Sequence, residues 1–388
     1  MPRTKAKWPS AATLLIAGLF LHAAAPGARA QPASPPVRSV TVAQGLENPW
    51  ALAFLPDGRY LVSERPGRLR VVEADGRLNP PLTGLPPLAV GGQGGLLDVV
   101  LDSGFATNRT VYFCFSEPAS AGASGNSTAL ARSRLSDDRT QLQDVRVIFS
   151  QRPKVASNLH FGCRIVEGMK EGRPDGTLFL ALGERYSRMQ DAQTLDNHHG
   201  KIVRVGKDGS VPKDNPFVGR PGAMPEIWSY GHRNPQGATL GPDGRLWMHE
   251  HGPQGGDEIN LPQPGRNYGW PVITFGEQYG GGPIGAGISA RGGLEQPLHH
   301  WTPSIAPSGM AFLTSDRYGP AWKGSLFVGS LKFQFLNRVE LAGGKVVREE
   351  RLLGDLGERI RDVRQGPDGY LYVLTDNPKG RLMRLMPP

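Results

Sequence analysis

Between Ile227 and Pro271 the chain reads I-W-S-Y-G-H-R-N-P-Q-G, then M-H-E-H-G-P-Q-G-G-D-E-I-N, then N-Y-G-W-P. Arg233 and Asn234 stand side by side, held by flanking Gly and Pro. A guanidinium can grip a carboxylate or quinone oxygen with two bonds while a neighbouring amide donates beside it. Gly252-Pro253 lies between acids, and Asp257-Glu258 precedes Tyr268. Such a stretch can hold an anionic organic ligand together with a hard cation, which prefers oxygen donors. An isolated Arg is also consistent with a surface ion pair, and Asp257-Glu258 with an ordinary acidic surface pair. His249 and His251 share a strand face, but no third ligand at suitable spacing accompanies them, so a zinc site is not expected.

A second pair lies upstream. His160 occurs in N-L-H-F-G-C-R-I just before an apolar strand, and Glu184 follows that strand in L-G-E. A carboxylate bonded to Nδ1 would fix the imidazole tautomer and raise the basicity of Nε2, as a general base requires. A structural His capping a turn fits the same spacing. Arg359 and Arg361, two apart on an extended segment, point the same way and can hold one anion; a solvated basic face is the other reading. His198-His199 and His299-His300 lack metal-like partners and are expected on the surface or in loops.

These residues need a scaffold that gathers distant loops. Gly (52) and Pro (35) are abundant, and nothing reads as a long amphipathic helix. Instead a tight turn followed by a short apolar strand recurs: Pro56-Asp57-Gly58, Asn108, Pro174-Asp175-Gly176, Pro242-Asp243-Gly244, Trp322 and Pro367-Asp368-Gly369 each precede one. Asp-Gly provides the positive-φ position a hairpin demands, and Pro presets the residue before it. The strand starts near Leu61, Val111, Leu178, Leu246, Leu326 and Leu371 are 50, 67, 68, 80 and 45 residues apart. Six units averaging about 60 residues predict an all-β, six-bladed β-propeller of four-stranded antiparallel blades. The opening segment 37–42 is expected to pair into the last blade and close the ring. A two-sheet sandwich is the alternative.

Residues 1–30 read as a signal peptide: Arg3, Lys5 and Lys7, an apolar run from Ala11 to Ala25 too short for an ordinary membrane span, and Ala28-Arg29-Ala30 as cleavage site. The expected mature chain, 31–388, is one catalytic propeller domain, exported to a periplasm and without stable membrane insertion, and Pro32 to Pro36 is a short lead-in. Removing Arg3, Lys5, Lys7 and Arg29 takes the formal charge from +9 to +5. That surplus does not indicate a nucleic acid partner, and a small polyanion is reason enough for it. Cys114 and Cys163 are the only cysteines; one disulfide and a buried free thiol are both open.

From about Val42 to the C-terminus the motifs resemble, in order, those of the soluble, calcium-assisted pyrroloquinoline quinone (PQQ) sugar dehydrogenases, the aldose-oxidising branch of the glucose/sorbosone dehydrogenase type. His160 matches the catalytic His of an H-x-G-x-R-[IL] setting, and Glu184 its acidic partner. Arg233-Asn234 matches the cofactor motif. Gln93, Tyr279, Lys332, Arg359 and Arg361 fall at cofactor-contacting positions, the cations being partners for a ligand with three carboxylates. The resemblance implies that Gly252-Pro253 donates main-chain carbonyls to an active-site Ca²⁺, that Asp257, Glu258 and Tyr268 surround a structural Ca²⁺, and that Trp301 forms an apolar wall for sugar stacking. Position 163, Gly in that branch, is Cys here. The implied reaction has His160 deprotonate an aldose's anomeric hydroxyl while hydride passes to PQQ, polarised by Ca²⁺ and Arg233. A lactone forms and the electrons go to a periplasmic acceptor. A calcium-dependent propeller hydrolase such as a lactonase, and a non-catalytic sugar-binding propeller, remain as alternatives; neither needs so many clustered cations.

Overall fold

Asp-Gly turns of the kind seen in the sequence do fold the hairpins. In the computed structural model, which describes residues 37–387, Gly58, Gly244 and Gly369 sit at φ 86°, 76° and 80°. In each case the preceding Asp carboxylate accepts the amide of the residue after the Gly, at 3.0–3.2 Å. Each turn starts the second strand of a blade. These second strands are Tyr60–Glu64, Thr110–Pro118, Arg173–Leu182, Leu246–Glu250, Leu326–Ser330 and Leu371–Thr375, and they contain all six expected starts. One turn differs from expectation. The third hairpin turns at Glu171-Gly172, and Pro174-Asp175-Gly176 forms an irregularity within the strand, because Met169 pairs with Pro174 and Glu167 with Leu178.

Six four-stranded antiparallel sheets result. Blades 1 to 5 span 49–81, 96–150, 162–230, 235–301 and 307–352, each running in chain order from its inner to its outer strand. Blade 6 takes three strands from 360–386, and its outermost strand is Arg38–Leu46, paired antiparallel with Gly380–Met386. The two ends of the described chain thus close the ring and leave no open edge between first and last blades. Among the described residues, helix is confined to Phe105–Asn108 and two short 3-10 turns, Met189–Gln193 and Gly354–Leu356. No helix there is long and apolar enough to cross a membrane. The expected signal peptide, cleavage site and lead-in lie outside the described residues.

The core lies between blades. Leu52, Val62 and Val72 of blade 1 pack on Leu374 and Leu382 of blade 6, and alternation along each strand supplies both faces. The six inner strands, Pro49–Phe54, Leu96–Leu101, Gly162–Lys170, Pro235–Leu240, Pro307–Phe312 and Ile360–Gln365, surround the axis. Midway along it, Arg164 meets Asp98 at 3.2 Å and Asp362 at 3.0 Å, and Arg364 meets the same two acids at 2.8 and 3.0 Å. Buried charges persist only when paired in this way. The quartet separates the two ends of the channel. Cys114 and Cys163 form a disulfide joining blades 2 and 3.

Candidate active site

Above the quartet, the inner strands begin with a kink. Trp50, Gln236 and Arg361 are each an extra residue between two paired neighbours, for instance between Ile360 opposite Thr375 and Asp362 opposite Leu374. A bulge of this kind re-aims side chains, and all three line a cavity of about 320 Å³ at the channel mouth. Gln93, Asn234, His251, Arg65, Arg359 and Asp376 complete its polar wall. Residues from blades 1, 2, 3, 4 and 6 and the loops around them thereby share one chamber.

His160 stands on the loop entering blade 3, beside Phe161 and Gly162 of the cavity wall. Its Nδ1 lies 2.7 Å from Glu184 Oε2. Both side chains are buried. Glu184 is fixed in turn by the Tyr186 amide at 2.5 Å, and Gln93 Oε1 accepts the His160 amide at 2.8 Å. With Nδ1–H donated to Glu184, the imidazole presents Nε2 as an acceptor. Burial lowers its pKa below the ordinary 6.5, Glu184 opposes that shift, and Arg233 and Arg185 add to it. The net shift is downward and favours the neutral imidazole, the state a base needs. Tyr186 packs edge-on against the ring, centroids 5.2 Å apart.

Arg233 is buried, and its Nη1 donates to the carbonyls of His251 (3.1 Å) and Gly252 (2.7 Å). Its amide donates to Glu250, whose carboxylate also bonds His232 Nδ1 at 3.0 Å. Trp270 and Tyr279 flank the guanidinium at 5.2 and 6.0 Å. Asn234 Oδ1 accepts the Gly162 amide at 3.2 Å, tying the Arg-Asn motif to the His160 loop. Arg359 and Arg361 do converge on one anion, and in this structure it is Asp376. Its Oδ2 lies 3.2 Å from Arg359 and 2.7 Å from Arg361. Burial pushes the Asp376 carboxyl up, but the two guanidiniums win and hold it well below the usual range. Lys332 is exposed on the rim next to Leu331 of the cavity wall, its ammonium 5.2 Å from the Phe333 ring.

A second cavity of about 10 Å³, room for one water or small ion, adjoins the first across His251. Glu250, Glu258, Gly252 and Tyr268 are among its lining residues. The Glu258 carboxyl is pushed up by burial and by Glu250 nearby. Asn260 bridges the two acids through Nδ2 at 3.2 Å each, while its Oδ1 is buried without a partner. Among the described residues no group of three or more His, Cys, Asp or Glu is arranged to hold a metal. Any cation here would rely on carbonyls and few carboxylates.

Three of the expected site residues make contacts of their own. Asp257 is turned away from this cavity: its carboxylate accepts Gly252, Ile305 and Ala306 amides and the Ser304 hydroxyl at 2.7–2.9 Å, which organises the Gly252-Pro253 turn. The Tyr268 hydroxyl is committed to Leu261 and Gln263, so only its ring, stacked on His232, and its main chain face the site. Trp301 is a core residue of the outer strand of blade 4, its indole N–H on Glu349 at 2.7 Å, and it does not line the channel. His198 and His199, expected on the surface or in loops, lie in the loop before Lys201 but are fully buried, bonded to Arg152 and Glu226 and to Asp191 and Pro153 respectively. Asp376, Glu250 and Trp270 were missed. Only Asp376 had a signal, because it ends the sixth repeat strand as Glu184 closes the third.

The glucose/sorbosone dehydrogenase family model matches residues 46–384. The chain belongs to that family. It is 48% identical over 362 residues to the aldose sugar dehydrogenase YliI of Escherichia coli, covering 92% of this chain and 94% of that one. Its fold is similar to the apo crystal structure of the soluble E. coli aldose sugar dehydrogenase (TM-score 0.85, 46% identity, 91% of this chain and all of that one). It is also similar to the PQQ-bound aldose sugar dehydrogenase of Streptomyces coelicolor (TM-score 0.73, 30% identity, 91% and 99%).

Proposed function

We propose that this protein is a periplasmic quinoprotein that oxidises aldose sugars at the anomeric carbon to lactones, using PQQ and Ca²⁺. The observation that carries the reading is His160, its Nδ1 2.7 Å from Glu184, on a loop that helps wall a cavity rich in guanidinium groups. The donor set fits a tricarboxylic quinone. Arg65, Arg359 and Arg361 outnumber the one acid, Asp376, in the cavity wall, and the Nε atoms of Arg233 and Arg361 are buried without partners. It fits a small hard cation too: the Glu258 carboxylate, the Gly252 carbonyl and the unpartnered Asn260 Oδ1 are oxygen donors at or beside an ion-sized space. Such donors suit an ion without a three-residue cluster.

When bound, the quinone supplies a hydride acceptor and the cation polarises it. The chain supplies the rest. His160 Nε2 takes the proton of the anomeric hydroxyl, and Glu184 stabilises the imidazolium that results. The Arg233 guanidinium, held by Gly252 and flanked by Trp270, stands ready for developing negative charge. Arg359 and Arg361, with Lys332 at the rim, hold carboxylates. The cations disfavour a lactonase reading, since water activation has no use for them.

Titrating the apo-protein with PQQ and Ca²⁺, while following reduction of an artificial dye by aldoses, tests this. The reading predicts saturation near one PQQ per chain, activity lost to a chelator, and a lactone product. Dye reduction absent at saturating PQQ, with lactone hydrolysis present, would contradict it.

A further inference from the structure

Three of the four residues from His160 to Cys163 have left-handed backbones: φ is 50° at His160, 69° at Gly162 and 82° at Cys163. Glycine takes this conformation freely, whereas His and Cys must be held there. His160 is held by its amide on Gln93, and its carbonyl accepts the Arg185 amide at 3.3 Å. Cys163 has no such backbone support from the ladder. Gly162 pairs with Leu182 and Arg164 with Ala181, so Cys163 is the extra residue of a bulge. The equivalent residues Trp50, Gln236 and Arg361 point into the cavity. Cys163 instead is fully buried and bonded to Cys114 of the preceding blade. Cys114 lies opposite that blade's own bulge, between the Val99–Phe113 and Leu96–Phe115 pairs. The bond therefore ties the kink of blade 3 to the ladder of blade 2, three residues from the imidazole.

We propose that the Cys114–Cys163 disulfide is a positioning device for the catalytic base: by holding Cys163 in its left-handed bulge it fixes the loop that sets His160 against Glu184 and Gln93. The proposal rests on reading His160 as the base. Released from the bond, Cys163 can relax toward negative φ, and the His160 loop moves with it. Misplacing a catalytic group by about 1 Å can lower turnover on the order of 100-fold. Because both sulfurs are sealed from solvent, substitution is the cleaner probe than reductant.

Two variants of the whole chain lose the same cross-link but differ in backbone freedom. Cys114→Ala leaves an L residue at φ 82°, whereas Cys163→Gly leaves the residue that tolerates it. In the PQQ-loaded protein, kcat should fall roughly 10- to 100-fold in Cys114→Ala and stay within about threefold in Cys163→Gly. PQQ affinity should stay within about twofold in both, since the arginines are untouched. In the apo-protein the His160 imidazole NMR resonances, assigned with His160→Gln, should shift in the first variant and remain near wild type in the second. Both should melt earlier. Wild-type kcat and imidazole resonances in Cys114→Ala, with only a lower Tm, would overturn the proposal and leave a purely structural cross-link. Equal losses in both variants would overturn it as well. Should the wild type bind PQQ without turnover, the functional reading fails, and the imidazole comparison still decides the positioning role.

Discussion

The two rims of this propeller are built differently from the same strands. At the lower rim, short turns join inner to second strands, and Gly58, Gly244 and Gly369 take positive φ with an Asp carboxylate bracing each turn. At the upper rim, inner strands begin in bulges, long loops enter the blades, and buried charges crowd the axis. The lower-rim turns meet local rules first, and contacts from the next blade, such as Arg317 on the Asp368 carbonyl, only add to them. The upper rim departs from regular pairing around the site, and its irregular segments are held by contacts from other strands and loops: Gln93 on His160, Asn234 on Gly162, and, within blade 6, Asp376 on two arginines. Regularity supplies the frame; irregularity supplies the site.

Substitutions at the upper rim should therefore reduce chemistry with little effect on folding, and those at the lower rim should do the reverse. The largest effect is expected for His160→Ala, with kcat down about 100- to 10,000-fold and PQQ affinity nearly unchanged, measured by dye reduction and by equilibrium titration. Arg361→Ala should weaken PQQ binding about 10- to 100-fold, the worth of a charge-assisted hydrogen bond, with a smaller change in kcat at saturating cofactor. Glu184→Gln should lower kcat roughly tenfold or more and move the pH profile. The sign follows from His160. Its pKa lies below 6.5 because of burial, and the base must be neutral. In the wild type kcat/KM is full above that pKa and is lost as pH falls through it. Removing the Glu184 charge, which raises the pKa, moves the acid limb further down. An acid limb that moves up would mean that Glu184 does not face the imidazole in the working enzyme. The smallest effect belongs to Gly244→Ala. A Cβ there meets nothing within 4 Å, so only the positive φ of 76° is strained, at about 1–2 kcal/mol. Tm should drop by a few degrees at most, and kcat should not change. A fall in kcat would break the contrast between the rims.

The same contrast explains what could be read in advance. Turns whose geometry one dipeptide dictates, and strands whose alternation two faces dictate, were visible along the chain; hence the six units and the closing strand were legible before any coordinates. His160, Glu184 and the Arg359/Arg361 pair were legible because each flanks a strand of a repeat, and Arg233-Asn234 because Gly and Pro on either side fix its backbone. Asp376 was not named, although it too follows a repeat strand, because an acid after a strand says nothing until Arg359 and Arg361 of the neighbouring strand meet it. Glu250 and Trp270 were hidden for the same reason. Trp301, put in the pocket wall by the resemblance alone, lies in an outer strand packed on the next blade, a place no local pattern announces. Even the Pro174-Asp175-Gly176 turn failed where a longer hairpin was available, since Glu171-Gly172 could turn four residues earlier.

The central claim is that His160, oriented by Glu184, moves the proton that allows hydride to leave the sugar. Mixing PQQ-loaded protein with an aldose under anaerobic conditions, and following the quinone absorbance over a single turnover, tests it most directly. The account predicts rapid bleaching in the wild type and a persistent oxidised spectrum in His160→Ala carrying the same amount of PQQ. Bleaching at the wild-type rate in that variant would contradict it.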